Sequence, residues 1–320
     1  MDGPAGPHKV KQRRIAFAAG GGCSLHPVDQ RPPFRHLRLA ALWLAAVLLV
    51  PLQLVPGPAA GAETVDLELV LAVDVSGSVD QDEARLQRDG YVAAITDPQV
   101  IEAIRGGLHG RIAVAYVEWA GYRHRRLVVD WHPIHDRPSA EAFARRLAAA
   151  PVATGVSTSI SGAIAFALPL FGSGGFQGVR RVIDISGDGP NNDGPEVTGA
   201  RDRALAMGVT INGLPILNQR PNVAGFPNLD DLDAYYDGCV IGGPGAFMVV
   251  AQGFDTFAAA IRRKLILEIA ARPPPARVMR VRATQRARPA ADAQGAYAQG
   301  CDIGERQLQQ YLRGRGGMVD

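Results

Sequence analysis

The sequence predicts an α/β fold in which a mostly parallel, doubly wound sheet is flanked by helices and has one antiparallel edge strand. Two apolar, strand-like runs, 69–73 and 181–185, each end in a short loop of Asp, Ser and Gly. Segments with helical spacing of apolar residues separate these runs from further strand-like runs, as in α/β domains. Parallel strands bring such loops to one edge of the sheet, where ligands of open α/β sheets bind.

The first half of the domain alternates strand and helix. Residues 80–104 have apolar side chains at helical spacing and are predicted to form a helix that is interrupted at an Asp-Pro pair. Residues 111–119 and 127–131 are predicted to pair as a hairpin, which leaves one antiparallel strand at the sheet edge. Residues 139–149 are predicted to form a helix with Ser139 as its N-cap.

The second half continues this alternation. Helices are predicted at 160–168, 196–207 and 254–269, and strands at 181–185, 209–217 and 246–250. Gly208 closes the second of these helices, because glycine commonly follows a helix C-terminus. The stretch 218–228 has neither periodicity and is predicted to be a loop.

The composition fits one globular domain with a basic leader. The chain has 320 residues, of which 47% are hydrophobic and 20% are charged, so it can bury a sizeable core. The first 62 residues hold seven of its 34 basic residues and two of its 31 acidic residues. The remaining 27 basic and 29 acidic residues give the rest of the chain a net charge near −2. We therefore do not expect nucleic acid as a partner.

Residues 1–62 have the features of a secretory signal region. Three arginines precede an apolar stretch at 39–50, and an A-x-A site follows at 60–62, so cleavage is expected after Ala62. We therefore expect an exported protein, periplasmic or secreted. An uncleaved N-terminal anchor is the less favoured alternative, because the apolar stretch is short for a membrane span. Association with the membrane or envelope stays open.

The leader is followed by a domain at 63–271 and then by a Pro-, Ala- and Arg-rich stretch at 272–320, which is predicted to be a linker and tail. Cys239 and Cys301 remain after removal of the leader. An oxidising compartment could join this even pair, and such a bridge would attach the tail to the domain. A buried free thiol is the alternative reading for each cysteine.

The loops after the two best-defined strands contain hard oxygen ligands. Asp74, Ser76 and Ser78 stand at alternating positions after the first strand. Thr158 precedes a helical run, and Asp188 follows the second strand between two glycines. Neutral hydroxyls with few carboxylates suit a small divalent cation that keeps one coordination position open. The D-x-S-x-S pattern alone is weak evidence, because Asp, Ser and Gly are also common in turns and caps.

Three motifs together resemble the von Willebrand factor type A family. They are the D-x-S-x-S turn, Thr158 with Ala163 five residues on, and Asp188 in a strand-end Asp-Gly. The resemblance covers residues 64–270 and implies a Rossmann-like fold. The stretches SGDGPNN and YYDGCVIGGPGAF are similar to a bacterial exported subgroup of this family whose function is uncharacterised.

The resemblance also implies a metal-ion-dependent adhesion site (MIDAS) and its ligands. It implies direct coordination by Ser76 and Ser78 and direct or water-mediated coordination by Thr158. It implies water-bridged support from Asp74 and Asp188, and an acidic side chain of a partner protein that completes the shell. Mg²⁺ is the expected ion, with Mn²⁺ and Ca²⁺ as alternatives.

These features lead to the hypothesis of an exported, metal-dependent, adhesion-type module that binds an acidic group of a partner protein. A metal-assisted hydrolase at the same site and a structural envelope protein with a degenerate site are the alternatives. No enzymatic activity is predicted, because the G-x-S-x-G, P-loop and H-E-x-x-H signatures are missing. His132 and His135 are predicted to be loop residues rather than zinc ligands. Asn191, Asn192 and Asp193 are predicted turn formers, with assistance to the cation as the alternative.

Overall fold

A seven-stranded sheet lies at the centre of the computed structural model, which describes residues 61–217, 227–270, 277–281 and 297–316. The strands are β1 (Glu63–Asp74), β2 (Ile112–Trp119), β3 (Arg125–Ile134), β4 (Phe176–Gly187), β5 (Thr210–Pro215), β6 (Met248–Ala251) and β7 (Val278–Val281). Their order across the sheet is β3-β2-β1-β4-β5-β6-β7.

All neighbouring strands in this sheet are parallel except β2 and β3, so β3 is the predicted antiparallel edge strand. The strand order reverses between β1 and β4, because the chain builds outward from β1 to β3 on one side and from β4 to β7 on the other. Such a reversal is where open α/β sheets form ligand sites. The predicted doubly wound α/β fold is confirmed.

Helices pack on both faces of the sheet. They are α1 (Gln81–Ile95), α2 (Pro98–Arg105), α3 (Arg137–Ala149), α4 (Ile160–Ala167), α5 (Val197–Ala206), α6 (Leu232–Tyr235), α7 (Phe257–Ile269) and α8 (Ile303–Gly316). Helices α1, α2, α3 and α7 contribute to one apolar cluster, whereas α4, α5 and α6 contribute to the other. Short 3₁₀ segments at Leu168–Leu170 and Phe254–Thr256 and a π turn at Tyr236–Val240 complete the helical structure of the described residues.

The side chains of strand β1 pack against helices on both faces of the sheet. Leu67, Leu69 and Leu71 pack in the cluster that contains α1 and α7. Val70 and Ala72 pack in the cluster that contains α4 and α5. Successive side chains of a strand point to opposite faces, so a strand covered on both faces has a continuous apolar sequence.

Aspartate N-caps define the starts of the first and third helices. The Asp80 carboxylate accepts the N–H of Glu83 at 2.8 Å, and the Glu83 carboxylate accepts the N–H of Asp80 at 3.0 Å. In α3, Asp136 Oδ1 accepts the N–H of Ser139 at 2.9 Å, and Ser139 Oγ accepts the N–H of Asp136 at 3.0 Å. The predicted N-cap at Ser139 is therefore wrong, because Ser139 is the third residue of the helix in a capping box begun by Asp136.

The predicted linker and tail at 272–320 is wrong for the parts that the structure describes. β7 extends the sheet by pairing in parallel with β6. The segment 297–316 packs on the domain through Tyr297 and Ile303, each of which is 8% exposed. A four-residue edge strand and a mostly polar helix have little periodic signal, so composition alone indicated a tail.

The predicted signal region and its cleavage site lie almost entirely outside the described residues, which begin at Gly61. Within the part of the chain that the structure describes, no helix is long and apolar enough to cross a membrane.

Candidate metal centre

The five predicted ligand residues lie at the carboxyl ends of β1 and β4 and in the loop before α4. Asp74 is the last residue of β1, and Asp188 directly follows β4. The two strands pair in parallel up to Val73 and Ser186, so their ends are adjacent. The sheet therefore places these carboxylates side by side at the point where the strand order reverses.

The hydroxyl groups form a continuous set of short contacts. Ser76 Oγ and Ser78 Oγ are 3.0 Å apart, and Thr158 Oγ1 is 3.3 Å from Ser76 Oγ. Ser78 Oγ donates to Asp188 Oδ1 at 2.5 Å. Adjacent ligands of an octahedral Mg²⁺ ion, with bonds of about 2.1 Å, lie about 3.0 Å apart. The spacing of the three hydroxyls is thus compatible with neighbouring positions around one small cation.

Asp74 is buried beneath these hydroxyls. Its Oδ1 accepts the N–H of Ser76 at 2.7 Å, whereas its Oδ2 is buried and has no hydrogen-bond partner among the described residues. A Cβ added to Gly187 would lie 2.9 Å from this oxygen and 3.0 Å from the Tyr236 hydroxyl oxygen, so the glycine leaves room for both groups.

The pKa of the Asp74 carboxyl is also compatible with a cation site. Burial, followed by the charge of Asp188, raises the pKa of the Asp74 carboxyl well above its ordinary value. A cation bound at the hydroxyls would favour the charged form of both carboxylates. The buried oxygen without a partner and the hydroxyl spacing therefore fit a divalent cation.

The loop after Asp188 holds the Thr158 loop in place. Asn192 Oδ1 accepts the N–H of Thr158 at 2.8 Å, and the N–H of Asn192 donates to the Thr158 carbonyl at 2.8 Å. Asn191 Oδ1 accepts the N–H of Ser161 at 3.0 Å in the first turn of α4. These asparagines thus position the threonine that the sequence predicts as a ligand. The available signal was their place one residue after the strand-end Asp-Gly.

The C-terminal helix forms one side of a cavity above the site. This cavity has a volume of about 250 Å³, and Ser78, Thr158 and Asp188 lie in its lining together with Leu308 and Leu312 of α8. Sequence reasoning missed this contribution, because nothing in the polar composition of 303–316 indicates where the segment packs.

The start of α8 is attached to the domain by a covalent bond and by a hydrogen bond. Cys301 and Cys239 form a disulfide bond, with an S–S distance of 2.08 Å. Asn191 Nδ2 donates to Glu305 Oε1 at 2.8 Å. The same asparagine therefore contacts both α8 and the helix that follows Thr158.

The other residues considered in the sequence are arranged differently. His132 lies in β3, where its Nε2 is 3.1 Å from the Ser139 carbonyl, so its placement in a loop is wrong. The described residues contain no cluster of three or more His, Cys, Asp or Glu side chains that could hold a metal. Asp184, four residues before Asp188, forms a buried ion pair with Lys264 at 2.6 Å.

Comparison with known proteins gives one family match and several distant structural matches. The family model covers residues 64–273 and is described as protein of unknown function (DUF1194). No curated protein matches the sequence. The matched range coincides with the region from β1 to the end of α7.

The solved structures share little sequence identity with this chain. Proximal thread matrix protein 1 from the mussel byssus is 14% identical, with a TM-score of 0.47, and the match covers 66% of this chain and 49% of that one. The von Willebrand factor type A protein from Catenulispora acidiphila is 14% identical, with a TM-score of 0.45 and coverages of 64% and 43%. The pilus adhesin SpaC from Lactobacillus rhamnosus GG, in an open conformation, is 13% identical, with a TM-score of 0.47 and coverages of 64% and 30%.

This chain spans about half the length of the byssus protein and less of the other two. One structure of the byssus protein has a zinc-occupied MIDAS motif. The chain belongs to the family described as protein of unknown function (DUF1194), and its domain has the predicted doubly wound α/β architecture.

Proposed function

We propose that this chain is an exported, cation-dependent protein-binding module of the adhesion type, which binds an acidic group of a partner protein. The observation that supports this most directly is the series of contacts from Thr158 through Ser76 and Ser78 to Asp188, with distances of 2.5–3.3 Å. These oxygens come from three separate loops and meet where the strand order reverses.

The donor set favours Mg²⁺ or Mn²⁺. Ser76, Ser78 and Thr158 would hold the ion through their hydroxyls, with Asp74 and Asp188 as supporting carboxylates. The Ca²⁺ ion takes 6–8 oxygen ligands, with carboxylates and carbonyls prominent among them, whereas this set offers three hydroxyls and two carboxylates.

The charge of the donor set suits an anionic partner. When bound, the ion supplies a positive charge and a coordination position that an anionic oxygen can fill. The site contributes only two carboxylates, Asp74 and Asp188, and one of them is fully buried. A partner carboxylate would therefore meet less repulsion here than at a site built from carboxylates alone.

Export is part of the proposal. The signal-like leader motivates it, and the Cys239–Cys301 disulfide supports it, because disulfides persist in oxidising compartments. The expected location is the periplasm or the cell exterior, and the expected partner is a protein of the same compartment. N-terminal sequencing of the exported protein would test the leader, since a mature chain beginning at Glu63 is expected.

Calorimetric titration with Mg²⁺ and Mn²⁺ tests the cation site. We expect one ion to bind per chain, and Ser76→Ala to weaken binding by about tenfold or more. The matched control is Ser186→Ala, because Ser186 is also buried near the end of β4 but accepts a hydrogen bond from the Tyr91 hydroxyl at 3.2 Å instead of joining the cluster. Equal heats for the native protein and both variants would contradict the proposal.

A pull-down from envelope extract, with and without a chelator, tests the binding role. Bound partners should be released by the chelator and restored by Mn²⁺. Partners that stay bound to the cation-free protein and to Ser76→Ala alike would favour a structural role with a degenerate site.

A further inference from the structure

The cavity at the candidate cation site is lined by both polar and apolar residues. Ser78, Thr158 and Asp188 are among the polar ones. Helix α8 lines one side of the cavity through Leu308, Tyr311 and Leu312. Val156, in the loop before Thr158, also lines the cavity. Val156 is 90% exposed and Leu312 is 59% exposed, so both present large apolar side chains to solvent at the rim of the cavity. Clefts of this kind bind a ligand through one polar anchor and adjoining apolar contacts.

The three α8 residues lie on one face of the helix. Positions 308, 311 and 312 have the i, i+3, i+4 spacing that places side chains together on a helix surface. The exposed residues Arg306, Gln309 and Gln310 lie between or beside them and give the rest of this stretch its polar character. All three residues of this apolar face line the cavity.

The start of α8 is held against the rest of the domain by a disulfide bond, a buried side chain and a hydrogen bond. The Cys239–Cys301 disulfide precedes the helix, and Ile303 is buried in the core cluster. A Cβ added to Gly304 would overlap the carbonyl oxygen of Asn191, so the helix backbone touches the loop that positions Thr158. Glu305 accepts a hydrogen bond from the same asparagine at 2.8 Å.

We propose that the apolar face of α8 is the specificity-determining wall of the docking cleft. The partner is a protein segment that presents a carboxylate to the cation and, next to it in sequence, a bulky apolar side chain to Leu308 and Leu312. The inference rests on the proposed function for the carboxylate. Charge complementarity selects the acidic residue, and the cavity of about 250 Å³ has room for a single side chain beside it.

Two synthetic peptides and the Mn²⁺-loaded full chain test this inference. The peptides are acetylated and amidated so that aspartate is their only charged group, with the sequences Gly-Gly-Asp-Leu-Gly and Gly-Gly-Asp-Gly-Gly. We expect the leucine peptide to bind about tenfold more tightly, because partial burial of a leucine side chain gives an effect of that order. Dissociation constants are measured by isothermal titration calorimetry, together with the Mn²⁺ affinity of each variant.

The double substitution Leu308→Ser and Leu312→Ser should remove the tenfold preference without changing Mn²⁺ affinity or binding of the glycine peptide. Val179→Ser is the control, because Val179 is 64% exposed but lies in the first half of β4, away from the strand ends that form the site. Cys239→Ser with Cys301→Ser should also reduce the preference, because it frees the start of α8.

Each contrary result has a separate meaning. Binding of Mn²⁺ and of both peptides with equal affinity, or a preference that survives the double serine substitution, would refute the role of α8 and leave the proposed function standing. Tighter binding of both peptides after the serine or cysteine substitutions would show that α8 covers the site instead, which also refutes the proposal. Failure of the native protein to bind Mn²⁺ would refute the proposed function and this inference with it.

Discussion

Replacement of Lys264 by methionine should destabilise the fold strongly at neutral pH. Lys264 Nζ lies 2.6 Å from Asp184 Oδ1 and 3.0 Å from Glu268 Oε1. All three side chains are at most 1% exposed. Glu268 Oε1 also accepts a hydrogen bond from Asn212 Nδ2 at 2.6 Å, so the network connects α7 to β4 and β5. Methionine preserves most of the apolar stem of the lysine and removes only the ammonium group.

The expected loss follows from the two carboxylates left behind. Removing one partner of a buried ion pair typically costs about 3–5 kcal/mol, because the remaining charge stays buried without compensation. The loss is a large fraction of the stability of an ordinary domain, which is about 5–15 kcal/mol. The variant should fold at neutral pH but with a clearly lower free energy of unfolding.

The loss should also depend on pH. Burial raises the pKa of Asp184 to about 7, although Lys264 opposes this effect. Removal of the ammonium group raises that pKa further. Near pH 7.5 the folded native protein has therefore largely released this proton, whereas the folded variant keeps it. Between pH 7.5 and pH 5.5 the variant thus gains more stability than the native protein as the pH falls. The difference between the variant and the native protein should be smaller at pH 5.5 than at pH 7.5.

Urea denaturation at these two pH values measures both effects. Arg85→Met is the control, because Arg85 pairs with Asp82 at 2.9 Å on an exposed helix surface. Its effect should be about 0–1 kcal/mol at either pH. A Lys264→Met variant as stable as the Arg85→Met variant, or a loss of equal size at both pH values, would refute the reasoning.

Three further predictions concern the site and its surroundings. Asn192→Ala should weaken Mn²⁺ binding by about 10- to 100-fold in calorimetry, because the amide N–H of Thr158 loses its acceptor. An unchanged Mn²⁺ affinity would contradict a positioning role for Asn192. The Cys239–Cys301 bridge joins residues 62 positions apart, and its reduction should lower the free energy of unfolding by about 2–4 kcal/mol. Urea denaturation with and without dithiothreitol measures this loss, and superimposable curves would exclude it. Because burial raises the pKa of Asp74, Mn²⁺ binding should release protons and weaken as the pH falls, and heats that do not depend on the ionisation enthalpy of the buffer would argue against it.

Local patterns were sufficient to predict most of the sheet and its helices. The continuous apolar run of β1 indicates a strand covered on both faces, and the Asp-Gly after β4 indicates where a second strand ends. These two strands pair side by side in the structure. The Asp-Pro pair at the end of α1 indicated the break that separates it from α2. The N-cap of α3 was placed incorrectly, because Asp136 and Ser139 are both good capping residues and only the backbone geometry distinguishes their roles.

The C-terminal part of the chain could not be predicted in the same way. β7 is a strand because β6 offers a free edge to pair with, and α8 has its position because Cys301 and Glu305 contact residues far away in the sequence. Neither feature has a local signal, since each depends on a partner that only the folded chain brings near.

By itself, the sequence determined the alternation of strands and helices and the identity of the oxygen-bearing residues, because side-chain periodicity and loop composition are local properties. The tertiary structure decided how those residues meet. Ser78 reaches Asp188 across 110 positions and Thr158 reaches Ser76 across 82, and parallel pairing of β1 with β4 makes both contacts possible. It also decided that α8 lies beside the site, because a disulfide and a buried hydrogen bond hold a segment whose own sequence is mostly polar.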